Sequence, residues 1–159
     1  MIKRYISNPN VFFVSYEKLC NEESSKNILI DKFNLQKNID FKFNLSKKEI
    51  KDMLRNKGFN ILKEKKIQIS KMEAEQFYKI HQTKPFYNDL CAYLSSGPIL
   101  VMMLEKENAI LANRELMGAT DPENAEEGTI RKKYGISIDK NSVHGSDSVE
   151  NARIEIDFF

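Results

Sequence analysis

The strongest chemical signal in the chain is the octet Asn141-Ser142-Val143-His144-Gly145-Ser146-Asp147-Ser148. Val143 reads as the end of a strand, and Asp147 or Ser148 as the cap of a following helix. A histidine between them stands beside a helix N-terminus, whose unpaired backbone N–H groups favour an anion. Imidazole titrates near neutrality, so its neutral ring can act as a nucleophile. Glu155, about two turns along the helix, is placed to reach back and orient the ring. The competing reading is a hydrogen-bonded structural histidine. A second set of groups suits phosphate: Arg114 late in a predicted helix, Thr120 just after it, and Arg131 following Gly128-Thr129-Ile130. The chain holds only five Arg among 25 basic residues. Arginine offers a rigid fork for phosphate that lysine cannot copy, so each one counts. Solvated surface arginines are the alternative, and spacing alone does not bring these residues together.

The elements that must position these groups are legible from residue 46 onward. Ser46 and Glu49 form a capping box ahead of a helix with Ile50, Met53 and Leu54 on one stripe, ended by Gly58. Phe59 to Ile69 alternates as a strand. Ser70 and Glu73 open a second helix carrying Ala74, Phe77, Tyr78 and His81. Pro85 interrupts it, and helical spacing resumes over Leu90–Leu94. Ser95-Ser96-Gly97-Pro98 is a turn, followed by a buried-looking strand from Ile99 to Leu104. Asn108–Met117 is a third helix, closed by Gly118, and residues 119–139 read as a long loop. The last helix is expected to bury Val149, Ala152, Ile156 and Phe159. Upstream, Ile28–Ile30 and Ile39–Phe43 are candidate strands, while Val11-Phe12-Phe13-Val14 is a short apolar run. The reading is an α+β fold, ferredoxin-like, with a four-stranded antiparallel sheet (a split βαβ), helices packed on it and a long loop before the last strand. Residues 1–45 form an irregular N-terminal segment able to supply the first strand, and residues 46–159 form the domain.

Composition bounds the function. At 159 residues the chain fits one domain with a core of its own. It contains no apolar run of about 20 residues, so no membrane-spanning helix is expected. Twenty-five basic against 23 acidic residues leave a net charge of +2, too small an excess to argue for nucleic acid. Two cysteines, Cys20 and Cys91, argue against a disulfide framework, and with two histidines against structural zinc. Cytoplasmic residence is the default. The alternative is mitochondrial targeting by the N-terminal segment, which is short of Arg for that role.

The residues also carry a family resemblance. Ala74-Glu75-Gln76-Phe77-Tyr78, Lys84-Pro85-Phe86-Tyr87, Ser96-Gly97-Pro98, Glu107-Asn108-Ala109, Arg114 through Thr120, Gly128-Thr129-Ile130-Arg131 and Asn141 through Glu155 closely resemble the nucleoside diphosphate kinases. The match runs without a gap over residues 58–159. The resemblance implies ping-pong transfer of a γ-phosphoryl from a nucleoside triphosphate to a diphosphate through a phosphohistidine at His144. It implies that Arg114, Thr120 and Arg131 bind nucleotide phosphates bridged by Mg²⁺, that Asn141 binds the ribose, and that Phe86 stacks on the base beside Leu90. Tyr78, Ser146 and Glu155 would position the histidine and the transferred group. No direct protein ligand to the metal is implied; Asp147 is a candidate contact through water. Without the resemblance, Phe86, Leu90 and Tyr78 would read as core. A homo-oligomer is also implied, with a hexamer favoured and a tetramer or dimer as the other states.

One departure matters. The family's central strand runs into Ile-Lys-Pro-Asp, whose lysine binds phosphate near the nucleophile, and this chain has no such motif. A gap-free alignment puts Asn38 in the lysine position. An insertion of about six residues aligns Ile28-Leu29-Ile30-Asp31-Lys32 instead, making Lys32 the substitute, and the apolar run favours it. Loss of this cation motivates a rival reading: a non-catalytic nucleotide-binding or assembly module with weakened turnover. Lys132-Lys133 also replaces the family's usual Gly-Asp and makes the loop more basic, a feature that suggests nucleic acid only weakly.

Overall fold

The computed structural model describes residues 47–159 and the strand Val11–Tyr16. In chain order the elements are β1 (Val11–Tyr16), α1 (residues 47–56), β2 (Asn60–Ile67), α2 (Lys71–Phe77), a 3-10 turn (Lys79–His81), α3 (Tyr87–Ser95), β3 (Ile99–Glu105), α4 (Ala109–Met117), α5 (Ile130–Tyr134), β4 (Val143–Gly145) and α6 (Val149–Phe158). The four strands form one sheet in the order β2-β3-β1-β4, with every pair antiparallel. This is the expected ferredoxin-like α+β arrangement.

The unbroken apolar run Ile99–Leu104 makes β3 an internal strand, buried along both faces. Leu100, Met102 and Leu104 point into the main core with Ile50 and Leu54 of α1 and Leu116 and Met117 of α4. Val101 and Met103 face the other way, onto Ile156 of α6. Each fully buried side chain of this kind contributes roughly 1.5–3 kcal/mol, so β3 fixes the two helical layers on its two faces. A third cluster joins α2 to α3 through Ala74, Tyr78, Cys91 and Leu94.

The structure corrects several expectations. The strand beside β4 is Val11–Tyr16, in the segment read as irregular but able to supply the first strand. The apolar run is the physical reason: Val11 through Val14 lie across from Glu105 to Met102 of β3, the most buried strand of the sheet. Ile28–Ile30, Lys32, Asn38, Ile39–Phe43 and Ser46 lie outside the described residues. Glu49 accepts from the Tyr134 hydroxyl and pairs with Lys133 at 2.9 Å. Helix α2 stops at Phe77, eight residues before Pro85, and passes into the 3-10 turn. Its predicted capping box is present, with the Glu73 amide donating to Ser70 Oγ at 3.2 Å and the Ser70 amide to Glu73 at 2.7 Å. The long loop contains α5, opened by Thr129, whose side chain accepts from the Lys132 amide. Finally, Val149 and Phe159 are half-buried, and only Ala152 and Ile156 of the expected set are fully covered. Val149 opens the helix and Phe159 follows its end, so neither has a full turn of neighbours.

Candidate active site

Strand β4 is only three residues long, and its alternation divides two tasks. Val143 is buried in the main core, and His144 points the other way, with about a quarter of its side chain exposed. Gly145 follows because α4 runs directly beneath. A Cβ there would come within 2.6 Å of Asn113 Nδ2 and 2.8 Å of Met117 Sδ. The glycine beside the histidine therefore lets helix and strand touch. It serves packing, not a special backbone angle.

Helix α6 begins four residues beyond Gly145. Its cap is Ser148, whose hydroxyl accepts from the Asn151 amide at 3.1 Å. Asp147 is not the cap; its carboxylate accepts from the Asn151 side chain at 2.6 Å. That bond, with backbone donors and the positive charge of Arg114, holds the Asp147 carboxyl below its ordinary range. Two turns along, Glu155 returns to the strand. One of its oxygens lies 2.8 Å from His144 Nε2, and the other accepts from the buried Ser146 hydroxyl at 2.5 Å. A carboxylate oxygen accepts, so the pair suits an Nε2–H donor, and Nδ1 is the ring nitrogen that Glu155 does not touch. Two rings flank the imidazole in edge-to-face geometry: Phe77 at 5.2 Å and Tyr78 at 5.9 Å between centroids. Of the four residues expected to do chemistry, His144, Glu155, Ser146 and Tyr78, all are brought together.

The phosphate-binding candidates meet in a cleft of about 490 Å³ lined by Arg114, Thr120 and Arg131, with Glu115, Asn124 and Glu126 also on its walls. Local sequence builds it. Helix α4 ends at Gly118, which has φ +81° and packs where a Cβ would strike Thr129 at 2.5 Å. A side chain at 118 would push α5 away. With α5 held close, the Arg131 guanidinium donates to the Gly118 carbonyl at 2.9 Å and to the Val143 carbonyl at 3.1 Å. One arginine thus ties the end of α4 to the residue preceding His144, a two-point geometry that only a guanidinium supplies. Arg114 is exposed and close enough to Asp147 for its charge to act there, three residues past the histidine.

The base-binding candidates lie further out. Phe86, just before α3, is 41% exposed, and Leu90 one turn on is half-buried. His81, left structural on sequence, sits between Tyr78 and Phe86, with ring centroids 6.1 Å from each. Asn141 donates to the Ile138 carbonyl at 2.9 Å. Next to it Ser142 adopts φ 71° and donates to the Tyr134 carbonyl at 2.5 Å, fixing the entry into β4. Sequence reasoning missed the contact of Phe77 with His144. The available signal was its place next to Tyr78 at the end of α2. A smaller hollow of about 150 Å³, lined by Lys65, Val101, Met103 and Phe159, includes none of the candidate residues. Among the described residues, no group of three or more His, Cys, Asp or Glu side chains is arranged to hold a metal ion.

The family model for nucleoside diphosphate kinase matches residues 42–159. A nucleoside diphosphate kinase of Geotalea uraniireducens is 56% identical over 111 residues, covering 70% of this chain and 81% of that protein. One from Persephonella marina is 54% identical over 106 residues, 67% and 76% of the two chains. Among solved structures, the nucleoside diphosphate kinase of Encephalitozoon cuniculi superposes with a TM-score of 0.76 at 27% identity, covering 94% of this chain and 88% of its own. The Aquifex aeolicus enzyme gives 0.74 at 30% identity, with 94% and 93% covered. The site geometry, the extent of the family match and the identity to these relatives lead to one conclusion: this chain belongs to the nucleoside diphosphate kinase family.

Proposed function

We propose that the protein is a nucleoside diphosphate kinase that passes the γ-phosphoryl of a nucleoside triphosphate to a diphosphate through phosphorylated His144. The observation that carries the reading is the His144–Glu155–Ser146 arrangement, joined through the Arg131 bond to the Val143 carbonyl to a cleft lined by Arg114, Thr120 and Arg131. In the first half-reaction the Nδ1 lone pair attacks the γ-phosphorus and the bond to the β-phosphate oxygen breaks. The diphosphate leaves, and the ring, still protonated at Nε2, becomes cationic against the Glu155 carboxylate. The second half-reaction reverses these steps with the terminal oxygen of another diphosphate. Alignment and charge stabilisation do most of the work in such transfers, which is the role given to Arg114 and Arg131. Phe86 and Leu90 offer the base a stacking face, which suits broad specificity because every base has one. Asn141 is assigned to the ribose. Asp147, its carboxyl held below the ordinary range and near Arg114, is the residue that would touch the hydration shell of a nucleotide-bound Mg²⁺, which would supply charge shielding for the phosphates. Homo-oligomeric assembly, with a hexamer favoured, and cytoplasmic residence complete the proposal. Among the described residues no helix is long and apolar enough to cross a membrane.

A second reading has a specific observation behind it. In the sheet register the residue opposite His144 is Ser15, on a strand that carries no lysine. Losing one charge-assisted contact of ~1.5–3 kcal/mol slows transfer by roughly ten- to a hundredfold. That describes a weakened enzyme, or a nucleotide-binding module if the deficit is larger. Lys32 is retained as the proposed replacement cation. Incubation with Mg-ATP and GDP separates the readings. Formation of GTP that disappears in His144→Ala supports the kinase, and nucleotide binding without GTP formation supports the module.

A further inference from the structure

The hydrogen bond to Glu155 fixes one point of the His144 ring, and one point alone does not set the plane of the ring. The line of the Cβ–Cγ bond, about which an imidazole turns, leaves the ring between Cε1 and Nε2, so Nε2 lies nearer to it than Nδ1 does. Rotation about that bond carries Nδ1 further than Nε2, away from an incoming phosphorus. Its plane must be set by what touches its faces and edges. Phe77 does so at 5.2 Å with 76° between planes, and Tyr78 at 5.9 Å with 78°, a favoured aromatic geometry.

Phe77 is the better placed of the two because it is itself braced. Its ring meets Tyr78 at 4.8 Å, Phe158 at 5.5 Å and Phe159 at 5.1 Å, and the last two meet each other at 4.8 Å. Phe158 and Phe159 follow Glu155 by three and four positions, the spacing that shares a helix face. The end of α6 thus supplies both the hydrogen bond to the imidazole and the backing for the ring beside it. Building on the kinase reading above, we infer that Phe77 is a positioning residue that sets the plane of the His144 imidazole, with Phe158 and Phe159 as its support.

The test compares Phe77→Leu, which keeps apolar bulk but loses the flat face, with Phe77→Tyr, which keeps the ring. In single-turnover labelling with Mg-ATP, Phe77→Leu is expected to phosphorylate His144 about tenfold or more slowly, with nucleotide Kd changed less than twofold. Phe77→Tyr is expected to restore most of the rate. Nitrogen-15 shifts of the imidazole should show the Nε2–H tautomer in both variants, because Glu155 is untouched. Phe159→Leu, one layer back, should give a smaller loss in the same direction. A wild-type rate in Phe77→Leu, an equal loss of nucleotide binding, or a changed tautomer would each overturn the inference. Proton–proton Overhauser contacts separate it from the kinase reading. The His144 ring should show a fixed contact with Tyr78 in the wild type and an averaged one in Phe77→Leu, whether or not the protein takes label; unaltered contacts overturn the inference. Absence of label in the wild type counts against the kinase reading instead.

Discussion

Replacing Glu155 by glutamine isolates the charge that the site geometry places against His144. The amide has nearly the shape of the carboxylate. Its oxygen can accept from Nε2–H at the 2.8 Å observed, and its nitrogen can donate to Ser146, whose hydroxyl then accepts. What disappears is the negative charge facing a ring that becomes cationic as it takes the phosphoryl. A hydrogen bond to a charged group is worth ~1.5–3 kcal/mol and a neutral one ~0.5–1.5. Because Glu155 is only 13% exposed, solvent screens little of the difference. About 1–1.5 kcal/mol of stabilisation is lost, a slowing of roughly five- to tenfold. Glu155→Ala strips an acceptor from Nε2–H and from a buried hydroxyl at once, and should cost ~3 kcal/mol or more, roughly a hundredfold. Rapid-quench labelling of His144 with Mg-ATP measures both variants. The expected order is wild type, then glutamine, then alanine, with clear gaps. Glutamine as fast as wild type, with alanine slow, would mean that geometry, not charge, dominates; two unimpaired variants would remove Glu155 from the site.

Three further outcomes follow from the packing around the site. Gly145→Ala must move Asn113 or Met117, and overpacking of this kind costs ~1–3 kcal/mol; calorimetry should show the melting temperature falling by roughly 5 °C. Arg131→Lys cannot reach both the Gly118 and Val143 carbonyls, so transfer should slow about tenfold while circular dichroism stays native. The Glu49 carboxyl is held below its ordinary value, chiefly by the Tyr134 hydroxyl and then by Lys133. A depressed folded-state value contributes stability above the unfolded pKa and loses it as pH falls through the folded one. The advantage of wild type over Glu49→Gln in melting temperature should therefore be full at neutral pH and shrink as pH falls below the ordinary Glu value of about 4.3.

Much of this site was legible because its signals are local. The Ser70–Glu73 box, the uninterrupted apolar β3 and the Gly118 stop each depend on a few neighbouring residues, and all three are present. The octet around His144 likewise announced a strand end and a helix start, with Glu155 at returning distance. The errors lie where tertiary partners decide. Val11–Val14 is too short an apolar run to distinguish a central strand from a stray one until β3 and β4 are seen on its two sides. The contact of Glu49 with Tyr134, 85 residues away, is equally beyond any local spacing. Phe77 reads as one more apolar helix position. Its contact with the imidazole depends on α2, β4 and the end of α6 meeting, which no local pattern encodes. The tie between Arg131 and the Val143 carbonyl is of the same kind.

The central claim is that Glu155 holds Nε2 and leaves Nδ1 to accept the phosphoryl. Phosphorus–nitrogen correlation spectra of the protein, uniformly labelled with nitrogen-15 and trapped after reaction with Mg-ATP, locate the new bond directly. The account predicts one phosphoryl, on Nδ1 of His144; a phosphoryl on Nε2, or on any other residue, would contradict it.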